Sequence, residues 1–288
     1  MDIIGKRKIW YTISLIFIGV GLLFLIFSGL NFGIDFTGGT ILQFQFEEDV
    51  TNEDAYEIFE DIGMDEGIRV QQTTEDNMEG IIIRAGSLDS DEIDEIDEAF
   101  TEQYSSADLV QTRMVGPVIG QELRVMALLA LLVASLAIVL YISFRFEFRF
   151  AIVAIIALLH DVLITIGIFA ILGKEVNTPF VAALLTIIGY SINDTIVIFD
   201  RIRENMKLMY NKSFKELANK AVVDTLPRSI NTSVTTLITI LAIYFFGGSS
   251  IKVFMLALFV GMFAGTYSSV FVASPLLVTW QNKLKASK

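Results

Sequence analysis

The sequence predicts an α-helical polytopic membrane protein: six transmembrane helices and one inserted α+β domain of ferredoxin-like plan outside the membrane. Three observations lead there. The 288 residues are 53% hydrophobic with a mean hydropathy of +0.61, too apolar for a water-soluble chain of ordinary composition. Six apolar runs are each near the roughly 20 residues that a helix needs to cross a hydrocarbon core. Between the first and second runs, residues 31–120 hold 23 acidic and three basic side chains, a local charge of −20, so the net −12 of the whole chain leaves about +8 for the rest.

The first run, Ile9–Leu30, follows Lys6, Arg7 and Lys8. It is too long for the core of a signal peptide and no small-residue cleavage site follows, so it reads as an uncleaved signal anchor. The other runs are Val125–Phe144, Ala151–Leu172, Thr178–Phe199, Ser229–Phe246 and Val253–Trp280, the last long enough to tilt or to end early. With the N-terminus inside, 15 of the 21 basic residues lie on the cytoplasmic side, which predicts that both termini are cytoplasmic. The expected division is 1–30 for the N-terminus and first helix, 31–120 for the acidic extracytoplasmic domain, 121–280 for the remaining helices with a cytoplasmic loop at 200–228, and 281–288 for a cytoplasmic tail.

Within the acidic domain, Thr40–Glu48 alternates, with Leu42, Phe44 and Phe46 on one face of a strand. Thr51 and Asp54 have the spacing of a capping box, followed by Tyr56, Phe59 and Ile62 at helical intervals. Ile68–Thr73 and Gly80–Arg84 read as strands around a turn at Asp76 and Asn77. Ser90 is placed to cap a helix with Ile93, Ile96 and Phe100 inward, and Ala107–Val115 closes the domain as a strand. The order β-α-β-β-α-β is the split βαβ, or ferredoxin-like, plan. So acidic a surface argues against nucleic acid as a partner. With no cysteine in the chain, thiol chemistry and disulfides are excluded.

In the cytoplasmic segment, Ser213 and Glu216 form another capping box, predicting either an amphipathic helix on the membrane surface or a plain solvated one. Phe144–Phe150 alternates aromatic and charged residues, as a turn between spans with its rings at the interface and its arginines facing the cytoplasm.

Polar residues inside apolar runs are costly and therefore informative, at about 2.5–3.5 kcal/mol for a carboxylate at a helix centre. Asp194 lies in the fourth run beside Tyr190, Ser191, Asn193 and Thr195. Arg228 opens the fifth, followed by Asn231, Thr232, Thr235, Thr236 and Thr239, and the Arg228, Thr232, Thr235/Thr236, Thr239 spacing makes one polar stripe that must face other helices or water. The pair reads as a proton path, with a static ion pair as the alternative. His160 and Asp161 sit midway along the third run and read either as a proton relay or as a hydrogen-bonded buried pair. His160 is the single histidine, and neither a metal-ligand pattern nor a nucleophile accompanies it, so no metal, cofactor or enzymatic activity is expected. In Phe32–Thr40 (FGIDFTGGT), Gly38 and Gly39 permit unusual backbone angles or close approach, and Asp35 is suited to bonding turn amides. Gly261 and Gly265 have small-xxx-small spacing for a helix contact.

These segments, FGIDFTGGT with VGPVIGQEL (115–123), HDVLITIGIFAILGKEVN (160–177), IGYSINDTIVIFDRIREN (188–205) and RSINTSVTT (228–236), resemble the SecF family of the Sec protein-export machinery over nearly the whole chain. The resemblance implies a six-helix half of an RND-type transporter. It implies pairing with a SecD-like subunit at the plasma membrane, association with the Sec channel, and action on a translocating polypeptide with the proton motive force as energy source. It implies proton-passage roles for Asp194, within IND, and Arg228, opening RSINT, with Asp161 as a candidate. The competing expectation is half of an RND-type exporter of lipid or small molecules, for which the roughly 90-residue external loop is small.

Overall fold

The computed structural model describes all residues except 65–66, 76–77, 210 and 287–288. The expected turn at Asp76 and Asn77 therefore lies outside the described residues, as does the end of the tail. The chain forms two compact units, residues 32–128 and residues 1–31 with 129–288.

The first unit is the acidic domain. Its elements run β1 (Gly39–Phe46), α2 (Asn52–Asp61), β2 (Arg69–Glu75), β3 (Met78–Ala85), α3 (Ser90–Gln103) and β4 (Asp108–Val115), α1 being the first apolar helix described below. The sheet order is β2-β3-β1-β4 with antiparallel neighbours throughout. The β-α-β-β-α-β order is thus present. Alternation on β1 puts Leu42, Phe44 and Phe46 on the face covered by the two helices, and Leu42 and Phe44 lie opposite Ile83 and Ile81 of β3. Phe100 of α3 stacks on Phe44 with ring centroids 4.7 Å apart. A register shift against β4 between Gln43 and Phe44 marks a bulge.

The Thr51 box forms as expected: the Asp54 amide donates to Thr51 Oγ1 at 3.2 Å and the Asp54 carboxylate accepts the Thr51 amide at 2.9 Å. Those bonds from the Thr51 amide and hydroxyl hold the Asp54 carboxyl below its ordinary range. Two details differ from expectation. Asp89, not Ser90, caps α3, because its carboxylate reaches the Glu92 amide while Glu92 returns a bond to the Asp89 amide. Tyr56 is exposed and its hydroxyl receives the Val70 amide, so the inward face of α2 is Ala55, Ile58 and Phe59.

The second unit contains the apolar helices α1 (Arg7–Phe27), α5 (Phe148–Leu172), α6 (Thr178–Leu208), α7 (Phe214–Phe246) and α8 (Ser249–Ser268), together with most of α4 (Pro117–Arg145). A five-residue π-helix, Ser269–Ala273, joins α8 without a break to α9 (Ser274–Ala286). Among the described residues, six helical stretches are long and apolar enough to span a membrane.

Segment 200–228, expected as a cytoplasmic loop with a helix after the Ser213 cap, is helical over 200–208 and 214–228. α6 runs on to Leu208, and α7 starts at the Ser213 cap and continues through Pro227 to Phe246. The helix expected after Ser213 is present, and it continues into the fifth apolar run. Proline is tolerated there even though it removes one ladder bond. The aromatic turn also differs: Phe146 and Phe150 are core residues packed on Phe199, while Phe144 and Phe148 are exposed.

Small residues set the helix contacts. A Cβ on Gly21 of α1 or Gly167 of α5 would fall within 3.0 Å of the other glycine's backbone, so these two helices touch main chain to main chain. Gly261 and Gly265 of α8 make room for the side chains of Ile187 and Ser191 of α6, giving the small-xxx-small spacing its partner. The N-terminal segment is anchored as well. Ile3 and Ile4 are buried, and Asn219 of α7 accepts both of their amides and donates to the Met1 carbonyl.

Candidate functional site

Two polar centres lie inside the membrane unit. The first is built on Asp161, which is fully buried on α5. Its Oδ1 is 2.9 Å from His160 Nδ1, and its Oδ2 accepts from Ser191 of α6 at 2.5 Å and from Ser268 of α8 at 2.8 Å. On the other side of the ring, His160 Nε2 lies 3.1 Å from Ser14 Oγ of α1. Ser14 reaches the Tyr267 hydroxyl at 3.4 Å, and that hydroxyl donates to the Trp10 carbonyl at 2.9 Å. Four helices therefore converge on one His–Asp pair, and its partners Ser14, Ser191 and Ser268 are all hydroxyls. Such a network satisfies a carboxylate without a permanent positive charge beside it.

The π-helix belongs to this arrangement. Ser269 bonds Thr195 of α6, oxygen to oxygen, at 2.8 Å, next along the chain from Ser268. In the widened turn the Ser269 carbonyl accepts Ser274 Oγ at 3.1 Å. Consecutive serines thus serve two different neighbours.

The second centre is Asp194 on α6, buried to all but 8%. Its Oδ1 accepts from Ser229 Oγ of α7 at 3.0 Å, whereas its buried Oδ2 has no hydrogen-bond partner among the described residues. Tyr190, one turn earlier on α6, likewise has a buried hydroxyl without a partner. Arg228 forms no ion pair with Asp194 within 4.0 Å, and Ser229 holds the position expected for it. The expected stripe is correspondingly rotated. Thr225, Ser229 and Ser233 face the interior of the unit, while Arg228, Thr232, Thr235 and Thr239 are exposed on it, with Asn193 exposed on α6. The hydroxyls of Thr232, Thr235, Thr236 and Thr239 are occupied by carbonyls one turn back, which keeps them satisfied in an apolar setting.

The Phe32–Thr40 segment is in the acidic unit and forms no part of either centre. Gly38 and Gly39 have φ of +74° and +130°. A Cβ on Gly39 would sit 2.6 Å from the Ala85 carbonyl oxygen, so the second glycine is required by close approach as well as by backbone angle. Asp35 lies in a short helical turn, Ile34–Thr37, and pairs with Arg113 of β4 at 2.8 Å. The polar groups missed in the sequence are Ser14, Ser229, Ser268 and Ser269. Ser14 is a polar residue midway along an otherwise apolar helix, which is the signal by which it could have been found.

Known proteins share this architecture. The model of the protein export membrane protein SecD/SecF C-terminal family matches residues 95–283, and the SecD/SecF GG motif matches residues 23–50. Protein translocase subunit SecF of Thermobaculum terrenum is 44% identical, covering 98% of this chain and 95% of that protein. Protein translocase subunit SecDF of Bacillus subtilis is 39% identical over 98% of this chain, but only 38% of that longer protein is spanned. The crystal structure of SecDF from Thermus thermophilus, titled a translocon-associated membrane protein, superposes with a TM-score of 0.90 at 38% identity, covering 98% of this chain and 39% of that one. With a family model over more than half its length and near-complete relatives above 30% identity, this chain belongs to the SecD/SecF family of protein-export membrane proteins, on its SecF side.

Proposed function

We propose that the chain is a SecF-type accessory subunit of the Sec protein-export machinery, working with a SecD-type partner and drawing on the proton motive force, with Asp194 as a proton-carrying group. The observation that carries this reading is the half-satisfied Asp194 carboxylate: one oxygen tied to Ser229, the other buried without a partner. A buried oxygen of this kind has room for a proton or for a nearby cation, and Arg228 on the neighbouring helix is such a cation.

On the exposed stripe the threonines are satisfied by their own helix, but Arg228 and the neighbouring Asn193 are costly against lipid in a spanning helix. A SecD-type half covering it fits the length of the SecDF relatives, in which this chain accounts for less than two fifths. In the assembled pair Arg228 approaches Asp194 in some states and not in others, which links protonation to conformation. The His160–Asp161 pair is the second relay position in this reading, since its bonds run from Ser14 to Ser191 and Ser268. The basic segments predict both termini in the cytoplasm and the acidic domain outside.

Asparagine keeps the shape of Asp194 but cannot titrate. Asp194→Asn should abolish the proton-driven part of export of a secreted protein while the variant still co-purifies with its SecD-type partner. Full export by that variant would end the proton-path reading. Because the chain has no native cysteine, single cysteines at Ser87 and Lys212 report the topology: a membrane-impermeant thiol reagent should label the first and not the second in intact cells.

A further inference from the structure

A cavity of about 360 Å³ lies along α6 and α7 and is lined by Asp200, Arg201, Glu204, Asp224 and Arg228, with Val197 and Thr225 between them. Its placement relative to Asp194 follows from helix geometry. Val197 and Arg201 are three and seven residues beyond Asp194, on the same face of α6, so Arg201 is about 10 Å further along the axis. On α7, Asp224 precedes Arg228 by one turn, as Thr225 precedes Ser229. The cavity therefore continues the line of the Asp194 centre toward the end of the two helices that the positive-inside reading places in the cytoplasm.

One residue bridges the mouth. Arg201 Nη2 donates to Asp224 Oδ2 at 2.9 Å, across the two helices, while its Nη1 donates to Glu204 Oε2 at 2.7 Å. Asp224 also receives Lys220 at 3.2 Å. Asp200 is held from the other side by Arg145 at 3.0 Å and Arg203 at 3.6 Å. Every carboxylate at this mouth is thus neutralised by a cation, and Arg228, without an ion-pair partner among the described residues, is the charge at the inner end. Carboxylates held in ion pairs are poor proton acceptors. In this state both Arg201 and Lys220 occupy the Asp224 carboxylate.

We propose that the Arg201–Asp224 bridge is the cytoplasmic gate of the proton path, closed as it stands in this structure, and that Asp224 becomes the proton-exchanging carboxylate when Arg201 lets go. The proposal rests on the reading of Asp194 as the proton-carrying group. A gate of this kind keeps Asp194 from contacting both sides of the membrane at once, which any coupled device requires. The bridge is partly exposed, with the Arg201 side chain 35% and the Asp224 side chain 26% accessible, so its strength suits opening and closing rather than permanent fastening.

The test uses the full chain with its SecD-type partner, reading proton flux with a pH-sensitive dye in inverted membrane vesicles and export in the cells from which they are made. Arg201→Gln should raise flux uncoupled from export by on the order of fivefold, the lower range for a coupling between two sites. Adding Asp194→Asn should abolish that leak. A second pair, Arg201→Cys with Lys220→Cys, keeps Asp224 and lets a short disulfide-containing thiol cross-linker clamp the two helices beside it, since this chain has no cysteine of its own. Cross-linking should stop flux, and reductive release should restore it. Flux that is lost in Asp194→Asn but is unmoved by Arg201→Gln and by the cross-link would overturn the gate alone. Flux unaffected by Asp194→Asn would overturn the underlying reading and the gate with it. If Arg201→Gln fails to assemble, the cross-linked pair decides: unchanged flux on cross-linking makes the bridge a static tie.

Discussion

The two units solve opposite solvent problems with one chemical alphabet. The acidic domain keeps its charges outward and its interior apolar: Phe44, Phe46, Phe59 and Phe100 are fully buried, and its α3 presents seven carboxylates from a helix whose buried residues are Ile96 and Phe100. The membrane unit reverses this. Leu15, Phe17, Leu23, Leu129, Leu132 and Leu136 are exposed on α1 and α4, while His160, Asp161, Ser191, Asp194, Ser229, Ser268 and Ser269 are inside. In water, hydrophobic burial drives packing. In lipid that force is absent, and close main-chain contact at glycines, together with hydrogen bonds between helices, takes its place. An acidic residue on α3 is therefore a solvation device, and an acidic residue on α5 or α6 is a structural or functional commitment.

The sharpest way to break the comparison is to remove one carboxylate from each unit. Asp161→Ala leaves His160, Ser191 and Ser268 without their shared acceptor and should cost about 3–5 kcal/mol, enough that the full-length chain no longer accumulates in membranes. Glu95→Ala, on the solvated face of α3, should change stability by less than about 0.5 kcal/mol. Comparable losses from the two would mean that the inversion is not what distinguishes the units. Next in size, Ile96→Ala hollows the core of the domain and should cost about 2–5 kcal/mol. Limited proteolysis should then cut within residues 32–128 and spare the spans. Smallest is the cap of α2, where Thr51→Ala should cost about 1 kcal/mol.

The same cap gives a pH dependence whose sign is fixed. Its Asp54 carboxyl titrates below the ordinary carboxylate range because the Thr51 amide and hydroxyl bond its charged form. A depressed folded value means that the contribution is complete at neutral pH and is lost as pH falls below about 4. In Thr51→Ala, acid sensitivity of the domain in that window should shrink, which hydrogen exchange of the α2 amides would detect. Asp54→Asn, which removes the titrating group, should abolish the step, and its persistence there would assign it to another group.

Much of this architecture is legible in the chain. Hydropathy locates the spans because twenty apolar residues have few other uses, and alternation in β1 together with the Thr51 spacing gives the order of the domain. What is not legible is which face of a helix meets which neighbour. Spacing places Arg228, Thr232 and Thr239 on one stripe, and that stripe is indeed one face, but it is turned away from the interior. Ser229, one residue on, meets Asp194. A difference of about 100° around an axis separates the two outcomes, and only packing decides it. Likewise Ser14 and His160 are 146 residues apart, and nothing local joins them. The boundary at 200–228 was obscured because helix continuation through Pro227 has the same composition as a basic loop followed by a span.

The wide turn at Ser269–Ala273 makes the last helix sensitive to a lesion that composition would not register. A π-turn holds one residue more than an α-turn, so the chain here carries, in effect, a built-in single-residue insertion. Straightening that turn to uniform α geometry with its extra residue retained would leave the length, hydropathy and charge of the final span unchanged. Everything beyond it would nevertheless rotate by about 100°. Leu277 and Val278, now buried, would turn away from the core, and Ser274 would lose the carbonyl it serves. For this stretch the reading frame of the helix, more than the identity of any one side chain, is what selection has to preserve.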